Sequence, residues 1–372
     1  MISGHVHSQR LERWLGSAQV EKVSSAMKGW YGPPIALHGV PGAVWVCKDG
    51  DFTGDLRAGW EMSALDRAQD WLRRLNRAMR VVSNPRRAVL NAGFTSLSDL
   101  IAEATAGKKQ DFYYNKTGVA GAIASSNSLW GAAGTPSLGA AGSAAPGGRA
   151  PVNTTAGAFA LVNPSGGDTT HFVGGQAFST VALRNLLLCD RIFDVAKTMA
   201  SIGTEAVSGV PTRYQSQTST NADYIGGNFL FPEVQTVLAN TGHNWTTCLY
   251  TDQGGASSTL PSAAGIAACA AQRIDYLGSW FLPLEAGDVG IGALTQMQCS
   301  ASVATGAINF VIAHPIAWLP CPIANFMTIV DGINTAFNLT RIFDSAALFF
   351  LDANIGTASA PTLSGSFSVC AG

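Results

Sequence analysis

Charge nearly disappears from this chain a third of the way along it. Residues 1–110 carry 15 basic and 10 acidic side chains, whereas residues 111–372 carry 8 and 14, only 22 charges in 262 positions. An ordinary soluble domain has about 25% charged residues, so the first segment is normal and the second is not. A body this poor in charge either faces water with Ser, Thr, Asn, Gln and backbone, or keeps its surface against other molecules.

A membrane span does not account for the deficit. Residues 117–148 and 289–330 contain no charge, but the first run is Gly, Ala, Ser and Pro. The second is broken by Gly290, Gly292, Gly306, His314, Pro315, Pro320 and Pro322. A spanning helix needs about 20 predominantly apolar residues in a row, so no membrane partner is expected. Arg10, Glu12 and Arg13 stand where a signal peptide would carry its apolar core, which points to synthesis in a cytoplasm. Seven widely spaced cysteines, with no CxxC and no His at metal-ligand spacing, read as buried structural thiols.

Three regions follow. Residues 1–110 read as a small helical, Arg- and Trp-rich anchor. Leu65, Ala68, Leu72, Leu75 and Met79 form one stripe of a helix over 61–82, a second helix starts at Ser96, and a weaker one spans Gln19–Trp30. Residues 111–175 read as an extended Gly/Ala-rich arm: Pro136, Pro146 and Pro151 exclude long helices. Such an arm either lies across a neighbouring subunit or hides strands too Ala-rich to recognise. Residues 176–372 alternate short apolar runs with turn residues. Strands are expected at 228–234, 244–250, 280–284, 294–300, 307–313 and 346–351, in an antiparallel β-sandwich or jelly roll. The fold class is therefore mainly β. The tetrapeptide Arg191-Ile192-Phe193-Asp194 returns at Arg341–Asp344, which reads as two segments bordering one sheet.

The search for chemistry is negative. Nucleophile-elbow, P-loop, dinucleotide-binding, zinc-protease and EF-hand patterns are absent, so no catalytic, cofactor or metal residues are assigned and an enzyme is not expected. Glu285 and Asp288 read as a polar turn, with a hydrolytic pair as a distant alternative. Asp190, Arg191 and Asp194 read as an ion pair or cap, and His314 as a hydrogen-bonded structural His. What remains is the Arg-rich helix with Arg67, Arg73, Arg74, Arg77 and Arg80, and the early tryptophans Trp14 and Trp30. Arg and Trp are enriched at interface hot spots, and such an Arg face suits other subunits or nucleic acid phosphates. These seven residues are the candidate contacts with a subunit or an anionic partner.

The segments Leu186–Phe193, Asn244–Gln253, Leu284–Ile291 and Leu339–Asp344, with a weaker echo in Gly93–Leu100, resemble a β-rich virion protein of tailed bacteriophages. The resemblance covers about half the chain and excludes its first 85 residues. It implies a non-enzymatic, capsid-associated component, a cement or decoration protein packing in many copies with itself and other capsid proteins on a phage head. Two alternatives stay open: the major capsid protein, and a tail protein that binds receptor carbohydrate.

Overall fold

The computed structural model describes residues 93–118, 126–211, 213–214, 227–333, 339–353 and 359–372, together with the backbone of a hairpin pairing Val44–Val46 with Phe52–Gly54. The chain divides into two units, 1–89 and 90–372, and the second is mostly antiparallel β-structure.

Eleven strands organise that unit: β1 Lys109–Thr117, β2 Asn127–Ser128, β3 Thr170–Ser179, β4 Arg184–Thr198, β5 Phe229–Thr236 and β6 Leu249–Asp252, then β7 Ile291–Met297, β8 Ala307–Cys321, β9 Met327–Asp331, β10 Leu348–Asp352 and β11 Thr362–Ala371. Four antiparallel pairs nest inside one another: β1 with β11, β2 with β10, β3 with β9, and β4 with β8. The chain is thus one long hairpin rolled into two sheets, β9-β3-β11-β1 and β8-β4-β10-β2. Counting only the eight nested strands along the chain, the sheet orders are 6-3-8-1 and 5-4-7-2, which is a jelly roll. Residues 199–306 form an insertion between β4 and β8. It adds β5 to the free edge of β8 and carries a separate sheet in which β6 pairs with β7.

Sidedness explains which strands were readable. In β11, Leu363, Phe367 and Val369 point into the roll while Ser364, Ser366 and Ser368 alternate outward, the period of a half-buried strand. Almost every residue of β4 is buried, because the sheet holding β4 is covered on both faces. Leu186 and Leu188 enter the core between the two sheets, whereas Leu187 and Cys189 enter a second cluster with Trp130, Phe231, Val311 and Phe349. That second cluster is enclosed because Gln272–Asp275 bridges both margins of the sheet: Gln272 O accepts from Ser128 N (2.7 Å), and Val234 N donates to Arg273 O (2.9 Å). The strand expected to end at Ala313 continues to Cys321, since Pro315 sits at a register shift where a missing N–H costs no ladder bond. Residues 280–284 form no strand.

The Gly/Ala-rich segment lies on its own body. It contains short pairings, Gly134–Thr135 on β1 and Ser143–Ala144 parallel to β4, and Trp130 is fully buried. Glycine is what lets it approach. At Gly148 (φ 60°) a Cβ would meet the Phe193 ring at 2.3 Å, and at Gly142 it would meet Asn309 Oδ1 at 2.5 Å. The helix expected from Ser96 is α1, Leu97–Glu103, with Ser96 Oγ accepting from Asp99 N (3.1 Å) and Asp99 Oδ2 accepting from Thr95 N (2.7 Å).

Candidate assembly surface

Nearly half of the scarce charge after residue 110 lies inside the fold. Of the 22 charged side chains after residue 110, ten are buried: Lys116, Arg184, Asp190, Arg191, Asp194, Lys197, Arg213, Glu233, Asp275 and Asp352. Five of them lie on β4. Arg213 binds Asp190 through two bonds of 2.7 Å, and Arg191 binds Glu233 through bonds of 3.0 and 2.8 Å. Arg191 Nε also donates to Asp194 (2.7 Å), which Arg149 of the Gly-rich segment holds from the other side at 2.6 Å. Arg184 pairs with Asp352 at 2.7 Å, and burial pushes the Asp352 carboxyl up to about 6 against the pull of that guanidinium. Bidentate Arg–carboxylate bonds offset the desolvation of both partners. At most twelve of those 22 side chains are left for the surface.

One outer face shows what that leaves. Cross-strand register places Ile329, Gln176, Ser366 and Tyr113 in one row across the sheet of β9, β3, β11 and β1, with Met327, Phe178, Ser364 and Asn115 in the next. Ile329 is 76% exposed and Tyr113 71%. The neighbouring Ile323, Phe326 and Ile333 are exposed too, so an apolar margin adjoins two uncharged rows, while the next row of the same face, Asp111, Ser368, Gly174 and Asp331, carries two carboxylates. The alternation in Met327-Thr-Ile-Val-Asp331 is the sequence signal for β9, which was not among the expected strands.

The seven residues proposed from sequence as contacts, Trp14, Trp30, Arg67, Arg73, Arg74, Arg77 and Arg80, lie outside the described residues, as do the helices expected at 19–30 and 61–82. Glu285 and Asp288 do border a turn: Tyr250 Oη donates to Asp288 and accepts from Glu285 N (2.9 Å), while Glu285 Oε2 accepts from Thr259 N at 3.3 Å. His314 is buried, bonds Asn228 Oδ1 at 2.7 Å and stacks on Tyr214 at 3.9 Å; burial pushes its imidazole down to about 3. Six cysteines, Cys189, Cys248, Cys269, Cys299, Cys321 and Cys370, are free and buried, and burial raises the Cys269 and Cys321 thiols to about 12. Of the repeated tetrapeptide, Arg191–Asp194 lies buried in β4, whereas Arg341 is half-buried over the Phe343 ring at 4.4 Å.

His243 was not singled out in the sequence, and the structure makes it distinctive. Both ring nitrogens face acceptors, Thr241 O at 3.0 Å and Asp275 Oδ2 at 2.7 Å. Only the imidazolium can donate to both, and the Asp275 carboxylate outweighs burial to raise the His243 pKa. Trp245 Nε1 (3.1 Å) also donates to that carboxylate, and Ile266 N (2.6 Å) donates to its other oxygen. Two open clefts, about 680 Å³ beside Lys197–Glu205 and about 450 Å³ beside His243, are lined mainly by Ala, Gly and backbone. Among the described residues no group of three His, Cys, Asp or Glu could hold a metal, and no helix is long and apolar enough to cross a membrane.

No protein-family model and no curated protein matches the chain. Among solved structures, one titled for the infectious bursal disease virus Gt strain aligns at 9% identity over 71% of this chain and 81% of that one, with a TM-score of 0.12. A score that low carries no argument about fold or role.

Proposed function

We propose that the chain is a non-enzymatic structural subunit of a virus particle, specifically a cement or decoration protein that packs in many copies on the head of a tailed phage. The observation that carries this reading is the placement of charge. A domain that buries ten of its charges and exposes a charge-poor sheet face with an apolar margin has the surface of a subunit that is covered once assembled. The jelly roll agrees with it, being an architecture used by capsid and lectin domains alike; the surface, not the fold, argues for the first. Copies of itself and other capsid proteins are the partners, with nucleic acid reached through the Arg-rich N-terminal stretch, and the virion is the location.

Fractionation tests this. Purified particles are split into heads and tails, and the chain is quantified in each by mass spectrometry. The reading expects it in heads. Confinement to tails would support a receptor-binding role instead, and absence from particles would end the virion reading altogether.

A further inference from the structure

The segment Gln272–Asp275 bridges β5 and β2, the two margins of the sheet built on β8, β4 and β10. Towards β5, Gln272 N donates to Val234 O (2.7 Å) and Asp275 N to Pro232 O (2.8 Å); towards β2, Ile274 N donates to Ser126 O (3.0 Å) and Gln272 O accepts from Ser128 N (2.7 Å). Ile274 belongs to the second core that this bridge covers. The bridge is not a conformation the chain adopts freely: Gln272 holds a φ of 69°, a left-handed backbone that residues other than glycine disfavour. Something must hold it in place, and the end of the segment shows what does. The Asp275 carboxylate, with no exposure, accepts from His243 Nε2 (2.7 Å) and Trp245 Nε1 (3.1 Å) through one oxygen and from Ile266 N (2.6 Å) through the other. The His243 side chain is buried as well, in a seat that exists because Gly265 has no Cβ, which would overlap Nε2.

The other ring nitrogen, Nδ1, faces a second acceptor, Thr241 O at 3.0 Å. An imidazolium donates to both. A neutral imidazole has a single N–H, so a ring lone pair then faces either the Thr241 carbonyl or the Asp275 carboxylate, and that carboxylate has lost its cation in a site closed to solvent. We propose that protonated His243 is a latch on the bridge: the imidazolium holds Asp275 and keeps Gln272–Asp275 shut, and loss of its proton lets the segment come away from both margins and open the second core. An open cleft of about 450 Å³, lined by His243, Gly265 and Ile266 among others, gives the released ring a path to solvent. The other groups around the pair do not titrate in the same range. Burial, helped by the Asp275 charge, raises the Cys269 and Cys299 thiols, so both stay protonated; Arg273 carries a fixed charge, and Lys197, beyond Cys299, is paired with Glu205 at 2.6 Å. Burial alone would lower the His243 pKa, but Asp275 outweighs it, so the latch is complete below about 6.5 and is lost as pH rises through the raised folded value.

The latch is independent of the virion reading, and the full-length chain alone tests it. Hydrogen exchange is followed by mass spectrometry from about pH 6 to about pH 9, with rates corrected for the intrinsic effect of pH, and the segment 272–275 is compared with β11. In wild type the protection of the segment should fall at least about threefold across this range and lie below that of β11 at the alkaline end. His243→Gln and Asp275→Asn should each leave the segment weakly protected at every pH, with the fall abolished. Three results would overturn the proposal: a segment that exchanges in step with β11 at every pH, because it then has no opening of its own; protection that does not change with pH; or a fall that persists in His243→Gln. Should either variant fail to fold, the wild-type comparison of the segment with β11 decides by itself.

Discussion

Asp190 illustrates how charge works in this protein one residue at a time. Its carboxylate takes two Arg213 bonds and the Ala347 amide at 2.8 Å in a site with no exposure. Asp190→Ala leaves the Arg213 guanidinium buried without its partner, and urea unfolding is expected to show a loss of about 3–5 kcal/mol. Two histidines set opposite pH limbs. His314 is neutral when folded, with its pKa pushed down to about 3, but binds a proton below about 6.5 when unfolded. Stability is therefore lost as pH falls from 6.5 toward 3, by up to about 1.4 kcal/mol per pH unit. His243 has a raised folded pKa, so its contribution is complete below about 6.5 and fades as pH rises through the folded value. Thermal melts against pH should fall on both sides, with His314→Gln flattening the acid limb and His243→Gln the alkaline one; a limb unchanged by its substitution would contradict the assignment. The sequence marks Asp190, Arg191 and Asp194 as a charge cluster. It does not reveal Arg213, Glu233 or Arg149, whose partners are 22 to 45 positions away.

Elements were legible where one face is wet and one dry, or where turn residues flank an apolar run. The strands near 228–234, 307–313 and 346–351 fall in β5, β8 and β10. β3 and β11 were missed because THFVGGQAFS and TLSGSFSVCA fill their outer faces with Gly, Ser and Gln, residues that also mark loops. The Gly-rich segment follows the second of its two readings, short strands that its composition hides. Its glycines look like flexibility in the sequence, but in the structure they are the space that lets the chain lie against β4 and Phe193. Gly148→Ala combines a positive φ with a Cβ 2.3 Å from that ring, so a loss of about 1–3 kcal/mol is expected in chemical denaturation. A neutral effect would mean that this segment does not pack on the body.

For the whole molecule, the alternation of apolar runs and turn residues after residue 176 predicted a β body, and the jelly roll agrees. The candidate site was only half legible. Low charge in the sequence signals a surface to be covered, but sequence does not say which charges turn inward, because that depends on nested pairs as distant as β1 with β11. Fold and surface lead to one expectation: a domain that buries much of its charge and keeps a charge-poor face outside is a subunit of a repeating shell. Stoichiometry tests this most directly. Quantitative mass spectrometry of purified, tail-less heads against an isotope-labelled standard of the chain should find hundreds of copies per head. A handful of copies, or none, would contradict the account.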